Sequence, residues 1–346
     1  MIIKNISFLN VRKISLFSES FIPETNIITG PNGSGKTTIL EAIYFLSTGK
    51  SFRKKHSQSI IKKTETELKI QGTIKGKVEN KIKLTYNGKK KQIFKNNNII
   101  KTTTALLKET SIVCASPEEV DIIEEYRKIK QQYFDKIIFK INTNHIKNIQ
   151  EYNKLILYRN TLLENKKETT PWDQKIIFLG TEIWKTRTEF FIEFLETIKQ
   201  TQEKIQIQPQ YTIIYSKQKI ENEKIYKKEL QKKHTNNKTE VGPHKDNIEL
   251  YINNENIKEH GSQGEKKLLK YILKLSEAEI LQSKKKEKPI ILLDDFFAKL
   301  DNENIMKIFS YFHRKFQVII TTTNTNKETL NNIQKNNNNI KIFENK

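Results

Sequence analysis

The sequence predicts an α/β fold: a nucleotide-binding sheet assembled from the N- and C-terminal parts of the chain, an inserted helical lobe and an antiparallel β layer. Three observations carry this. Residues 27 to 46 fit the spacing G-x-x-x-x-G-K-[ST] at Gly30, Gly35, Lys36 and Thr37, entered by Ile27 and Ile28 and followed by Ile39, Ile43 and Leu46 at helical spacing. Residues 290 to 295 read Ile-Ile-Leu-Leu-Asp-Asp, four aliphatics suited to a central parallel strand with two carboxylates at its C-terminal end. From about 120 to 205 the apolar residues recur at helical spacing instead.

The phosphate-loop chemistry needs these residue types. Gly30, Gly33 and Gly35 let backbone N–H groups close around phosphate oxygens, with Pro31, Asn32 and Ser34 completing the loop. The helix that follows turns its positive end toward the same anion. Lys36 is expected to reach the β- and γ-phosphates of ATP, and Thr37 to hold Mg²⁺. The chain has only 11 Gly in 346 residues, so three in this register argue against an incidental glycine-rich turn. Asp294 is expected to bind Mg²⁺ and Asp295 to orient or deprotonate the attacking water.

In chain order, residues 1 to 9 alternate as a strand, 14 to 22 offer a second, and Pro23-Glu24 turns into the loop strand. Gly49 suits the C-cap of the first helix. Residues 66 to 74 and 78 to 86 alternate again, and Asn87-Gly88 is a hairpin turn into 91 to 94. A buried strand at 111 to 114 precedes Ser116-Pro117-Glu118, which reads as a capped helix start. Two helical series follow, parted near Pro171, their aromatics read as core rather than as a stacking platform. Residues 210 to 215 form a strand, 217 to 240 a charged helix ending in a loop near Thr235, and Gly242-Pro243-His244 re-enters the nucleotide domain. His244 is either structural or a switch group. After the Asp294 strand come a helix, a last parallel strand at 316 to 320 with Thr321 or Thr322 as a γ-phosphate switch, and an Asn-rich tail.

Composition bounds the rest. No apolar run approaches the roughly 18 residues of a membrane span, the N-terminus lacks a signal-peptide layout, and the single Cys114 excludes an internal disulfide or a Cys-rich zinc site. A cytoplasmic protein is expected. The net charge of +22 invites a DNA-binding reading, but only six of the 62 basic residues are Arg, and a lysine-rich solvated surface is the alternative.

His260-Gly-Ser-Gln-Gly-Glu265, opening a helical pattern, resembles the signature of ABC-type ATPases, with Ser262 and Gly264 as a second anion site. The chain as a whole resembles the RecF family, related to SMC heads. The resemblance rests on Gly30-Pro-Asn-Gly-Ser-Gly-Lys-Thr37, Leu40-Glu-Ala-Ile43, Leu46-Ser-Thr-Gly-Lys-Ser-Phe-Arg53, Ser116-Pro-Glu118, Tyr158-Arg-Asn160, Gly242-Pro-His-Lys-Asp246, Gly261-Ser-Gln-Gly264 and Leu293-Asp-Asp295. It implies an ABC-type P-loop ATPase head at 1–118 and 208–346 with an inserted helical domain at 119–207. It further implies ATP-dependent homodimerisation, binding of single- and double-stranded DNA, slow ATP hydrolysis, RecR- and RecO-type partners, and support of RecA loading and SOS induction.

Arg12, Arg53, Arg159 and Arg187 match arginines of the family pattern; Arg12 and Arg53 become candidate nucleotide or DNA contacts, the alternative for each being an ordinary surface residue. Lys130 and Gln131 stand where the family carries an arginine pair, so a contact made there is weakened or rebuilt. Another ABC-type DNA-repair head, of the SMC or anti-phage nuclease kind, is the alternative reading. A transporter ATPase predicts a signature much closer to the phosphate loop, and a scaffold that scarcely hydrolyses ATP differs only in turnover.

Overall fold

The computed structural model describes residues 1–53, 60–117, 119, 121–232, 237–297, 302–323 and 339–345. Period-two alternation gives β1 (Ile2–Val11), β2 (Ile14–Ser20), β4 (Leu68–Lys75), β5 (Glu79–Tyr86), β6 (Lys91–Lys95) and β7 (Asn98–Ile100), an antiparallel sheet in the order β2-β1-β4-β5-β6-β7. The Asn87-Gly88 turn joins β5 to β6, Asn87 Oδ1 accepting the amide of Lys90 at 2.8 Å. A second sheet contains β3 (Thr25–Thr29), β8 (Ile112–Ala115), β12 (Ile290–Leu293), β13 (Gln317–Thr321) and β14 (Ile340–Glu344), all parallel, in the order β14-β3-β13-β12-β8. Both faces of the sheet are covered, and every residue of β3, β8, β12 and β13 is buried.

Helix α1 (Lys36–Thr48) packs between the two sheets, touching β1, β4 and β5 on one side and β8 and β13 on the other. A helix so enclosed must be apolar nearly all round. Ile39, Leu40, Ala42, Ile43, Phe45 and Leu46 are all inaccessible to solvent, each larger one contributing roughly 1.5–3 kcal/mol of burial. Gly49 ends α1 in the left-handed region (φ +67°), its amide returning to Phe45 O. Helix α2 (Thr103–Glu109), absent from the sequence reading, is capped by Thr102, whose hydroxyl accepts from the Ala105 amide at 3.1 Å. Helices α8 (Gln263–Lys285) and α9 (Asn302–Lys315) cover the parallel sheet at β8 and β13. Among the described residues no helix starts at Ser116-Pro117: Pro117 lies in a turn and the next described helix begins at Arg127.

These elements make one compact unit: residues up to Val120, Thr201–Gln208 and Gln263 onward. The second unit, Asp121–Gln200 with Pro209–Ser262, corrects the expected boundaries, because residues 209–262 belong with the helical insert. It contains α3 (Arg127–Ile141), α4 (Thr143–Glu164), most of α5 (Thr170–Ile205), α6 (Glu223–Gln231) and α7 (Ile257–His260), and a small antiparallel sheet β11-β10-β9. Its strands are β9 (Tyr211–Ser216), β10 (Asn247–Ile252) and β11 (Glu255–Asn256). The helix expected over 217 to 240 is α6 alone, and Thr235 and the Asn-rich stretch 331 to 338 lie outside the described residues.

A buried ionic network explains the regrouping. Arg187 of α5 forms a bidentate pair with Asp135 of α3 (3.0 and 2.8 Å) and donates to Pro243 O at 2.7 Å and Asp246 Oδ2 at 2.9 Å. Trp184 Nε1 and the Tyr215 hydroxyl donate to the other lone pairs of Asp246 at 2.8 and 2.7 Å. Burial works against the Asp135 charge, but Arg187 and His145 hold its carboxyl below the usual range. Gln131, which stands where the resemblance led us to expect an arginine, is buried and its side-chain amide donates to Asp246 O at 2.5 Å. Gly242 sits at φ +133°, and a Cβ there would stand 2.0 Å from the Tyr152 hydroxyl, so this position admits only glycine.

His244 is structural. Its Nδ1 lies 2.9 Å from the Tyr152 hydroxyl and its Nε2 3.1 Å from Thr239 O. Burial, aided by Lys245, Arg127 and Arg187, lowers its pKa from 6.5 to about 4, the Thr239 carbonyl opposing. The neutral ring therefore contributes stability that is complete above pH 6.5 and lost as pH falls toward 4, up to about 3 kcal/mol. Urea denaturation from pH 7 to 4 should show a shallower loss for His244→Asn than for the wild type.

Candidate nucleotide-binding site

The phosphate loop leaves β3 at Thr29 and enters α1 at Lys36. Its glycines take the backbone where sequence demands them: Gly33 and Gly35 lie at φ +84° and +100°. Gly35 is the N-cap of α1, and having no side chain it leaves the first-turn amides directed at the loop's concavity. Lys36 is buried, and burial lowers its pKa against the opposing pull of Asp295 and Asp294. Its ammonium donates to Gly30 O at 2.8 Å and Pro31 O at 2.7 Å, which holds the side chain against the loop. Pro31 and Asn32 are exposed at the tip.

An open cavity of about 450 Å³ spans the loop and the end of β12. Asn32, Gly33, Gly35, Lys36 and Thr37 line one side, Asp294, Asp295, Pro117, Thr321 and Thr323 the other, with Arg12, Lys13 and Arg53 also contributing. Asp294, only 4% exposed, is held by three hydroxyls: Thr37 Oγ1 at 2.9 Å, Thr321 Oγ1 at 2.7 Å and Ser116 Oγ at 2.9 Å. One carboxylate among hydroxyls is a hard oxygen set of the kind that suits Mg²⁺ shared with phosphate rather than a transition metal. No cluster of three His, Cys, Asp or Glu occurs among the described residues. Asp295 follows at φ +50°, unusual for a non-glycine, and its amide donates to Thr321 Oγ1 at 3.0 Å. Of the two candidate switch threonines, Thr321 is the one bonded to the carboxylate; the Thr322 amide continues the ladder to Ile28 O at 3.0 Å.

Arg12 and Arg53 reach the cavity, but both are held by Glu41. This carboxylate of α1 is wholly buried, accepts hydrogen bonds from Arg12 Nε and Nη2 at 2.9 and 2.7 Å and from Ser51 Oγ at 2.5 Å, and forms an ion pair with Arg53, whose Nε lies 3.2 Å away. Sequence reasoning missed Glu41; its signal was a lone charge on a helix otherwise apolar from Ile39 to Leu46. It also took Ser116 for a cap when the hydroxyl serves Asp294. Arg159 and Arg187 are structural: Arg159 is buried, donating to Asp173, Thr239 Oγ1 and Leu230 O at 2.9, 3.0 and 2.6 Å. Ser262 is exposed just before α8. Gly264 belongs to the same compact unit as the loop, yet it does not line the cavity, and a Cβ there would meet nothing within 4 Å.

A glycine-rich loop between a parallel strand and an enclosed helix, facing paired aspartates two strands away, defines a P-loop nucleotide-binding head of the ABC type. The family model described as RecF/RecN/SMC N terminal domain matches residues 2–346. A DNA replication and repair protein RecF of Thermoanaerobacter sp. (strain X514) is 31% identical over 342 residues, covering 93% of this chain and 94% of its own. The solved recombination mediator protein RecF with ATP, of the RecFOR pathway, superposes with TM-score 0.82 at 29% identity, covering 92% of this chain and 91% of its own. The Smc head domain from Pyrococcus furiosus shares the fold at TM-score 0.51 and 16% identity, covering 94% and 91%. The chain belongs to the RecF family.

Glu41→Gln removes a buried carboxylate charge that Arg12 and Arg53 share, and should cost about 3 kcal/mol of unfolding free energy by urea titration. Arg12→Lys, which loses the bidentate fork, should cost less than Glu41→Gln does.

Proposed function

We propose that the chain is an ATP-operated clamp acting on DNA in replication and recombinational repair. The observation that carries this reading is the pairing of a complete phosphate-binding half-site with an exposed signature segment. Lys36, Thr37, Asp294 and Asp295 converge on one cavity, while Gly264 of the same unit faces open space. A second copy then supplies Ser262 and Gly264 to the γ-phosphate in a head-to-tail C2 dimer with two ATPs. The similar protein solved with ATP, a recombination mediator of the RecFOR pathway, supports ATP as the ligand.

In this reading the loop amides and Lys36 hold the phosphates, and Arg12 and Arg53, steadied by Glu41, face phosphate of the nucleotide or of DNA. Thr37 and Asp294 would hold Mg²⁺, which supplies neutralisation of phosphate charge. Asp295 orients the water whose attack yields ADP and phosphate, and its carboxylate in place of a longer glutamate fits slow turnover. Binding ATP favours the closed dimer and hydrolysis releases it, so single- or double-stranded DNA is held in a nucleotide-dependent way. The reading extends to RecR- and RecO-type partners, support of RecA loading, SOS induction and a cytoplasmic setting; the RecFOR pathway of the similar solved protein supports the partners.

Light scattering with and without ATP and duplex DNA tests the clamp. The wild type should dimerise with ATP; Lys36→Met should lose about 100-fold in ATP affinity and stay monomeric; Ser262→Arg should bind ATP yet stay monomeric. A wild type that binds ATP and remains monomeric at every concentration sinks the clamp.

A further inference from the structure

The end of the described chain meets the phosphate loop. Strand β14 runs parallel to β3 from Ile340↔Thr25 to Glu344↔Thr29, and the next residue, Asn345, continues the ladder with its amide donating to Thr29 O at 2.8 Å. The strand is anchored on its way: Lys341 pairs with Glu19 at 2.8 Å, and the Phe343 ring lies against Phe21, centroids 6.1 Å apart. Asn345 Nδ2 then donates to the carbonyl of Ser34 at 2.7 Å. The Asn345 carbonyl oxygen stands 2.4 Å from where a Cβ on Gly30 would be, and its Nδ2 3.6 Å from a Cβ on Gly35. One residue therefore touches both limbs of the loop.

Geometry gives the contact a consequence. The Ser34 carbonyl and the Gly35 N–H belong to one trans peptide plane and point in opposite directions. A donor fixed on the Ser34 oxygen turns the Gly35 N–H away from Asn345, toward the cavity that Gly35 lines. Rotating the plane changes ψ of Ser34 and φ of Gly35, and Gly35, at φ +100° with no Cβ, offers little steric resistance on its side. Lys36 already secures the Gly30 and Pro31 carbonyls. The Ser34 carbonyl is secured by Asn345.

We propose that Asn345 is a positioning residue of the phosphate loop: it fixes the Ser34–Gly35 peptide so that the Gly35 N–H is presented to phosphate. It does not itself touch the nucleotide. The requirement for glycine at position 30 acquires a second reason, the close approach of the Asn345 backbone. This inference rests on the reading of the cavity as an ATP site.

Calorimetric titration of the full chain with ATP, ADP and inorganic tripolyphosphate, for the wild type, Asn345→Asp, Asn345→Ala and Lys36→Met, tests it. Asn345→Asp keeps the shape, removes the donor and leaves the backbone ladder in place. Both Asn345 variants should weaken all three ligands by a similar factor of about ten, because the fault lies at the phosphates and not at the base. Their melting temperatures without ligand should match the wild type. Wild-type affinity in both Asn345 variants, with Lys36→Met impaired, overturns the proposal and leaves the ATP site standing. A ligand-free melting temperature lowered in both variants overturns it too, reducing Asn345 to a strand-end contact. A wild type that binds none of the three ligands removes the ATP reading and this inference together.

Discussion

The carboxylate of Asp294 is the constraint on which the nucleotide half of the molecule depends. It ends the central strand β12, whose four aliphatics are inaccessible or nearly so, and its own amide returns to Ala115 O at 2.8 Å. Its oxygens collect hydroxyls from Thr37 at the start of α1, Ser116 after β8 and Thr321 at the end of β13. Four segments separated by up to 284 residues of sequence, from Thr37 to Thr321, are therefore tied to one buried charge. A buried carboxylate is costly unless its lone pairs are taken, and three neutral hydroxyls take them without cancelling the charge. A salt bridge to Arg or Lys would instead have placed a fixed counter-charge at the end of β12. The left-handed backbone of Asp295 is the local strain that this anchoring supports, since its amide is fixed to the same Thr321 hydroxyl.

The arginines follow a related logic. A chain that spends lysine so freely, with only six Arg among 62 basic residues, keeps Arg where a planar fork is required. Arg12 grips Glu41 with two nitrogens, Arg187 grips Asp135 with two more, and Arg159 serves three acceptors in different segments. A lysine ammonium is a point charge on a mobile stem without the planar fork that matches both oxygens of one carboxylate. Gln131 beside this network needs no charge: its amide reaches backbone carbonyls, and Arg187 balances the carboxylates of Asp135 and Asp246.

What was legible in the sequence is what local chemistry determines. The phosphate loop, the β12 carboxylates, the Asn87-Gly88 hairpin and the Gly49 cap each declare themselves within a few residues, because glycine conformation, strand burial and helix spacing are short-range properties. The partners of Asp294 were half legible: Thr37 by motif, Thr321 only as one of two, Ser116 misread because a Ser-Pro pair looks like a helix start when its distant acceptor is unseen. Glu41 and Asn345 gave little local signal, since each matters through residues that the chain brings back from far away. The domain boundary failed for the same reason. Asp246 follows a family motif, but its side chain answers to Trp184, Arg187 and Tyr215, and these carry residues 209–262 into the unit of the helices.

The charge of the chain works on two length scales that composition alone runs together. Exposed pairs such as Lys69–Glu67 and Lys4–Glu79 contribute little stability each, and 62 basic against 40 acidic residues leaves most of the excess facing solvent. That excess raises the local concentration of polyanions and speeds their arrival, but at physiological salt it is screened within about 8 Å. It cannot distinguish a nucleotide from any other phosphate. Discrimination needs groups held in fixed positions, and here those are loop amides, the buried Lys36 and Asp294 on its three hydroxyls. Screening by salt should therefore act on the two functions unequally: attraction of DNA falls steeply with added salt, while recognition at the loop, fixed by hydrogen bonds of 2.7 to 2.9 Å around buried groups, changes little.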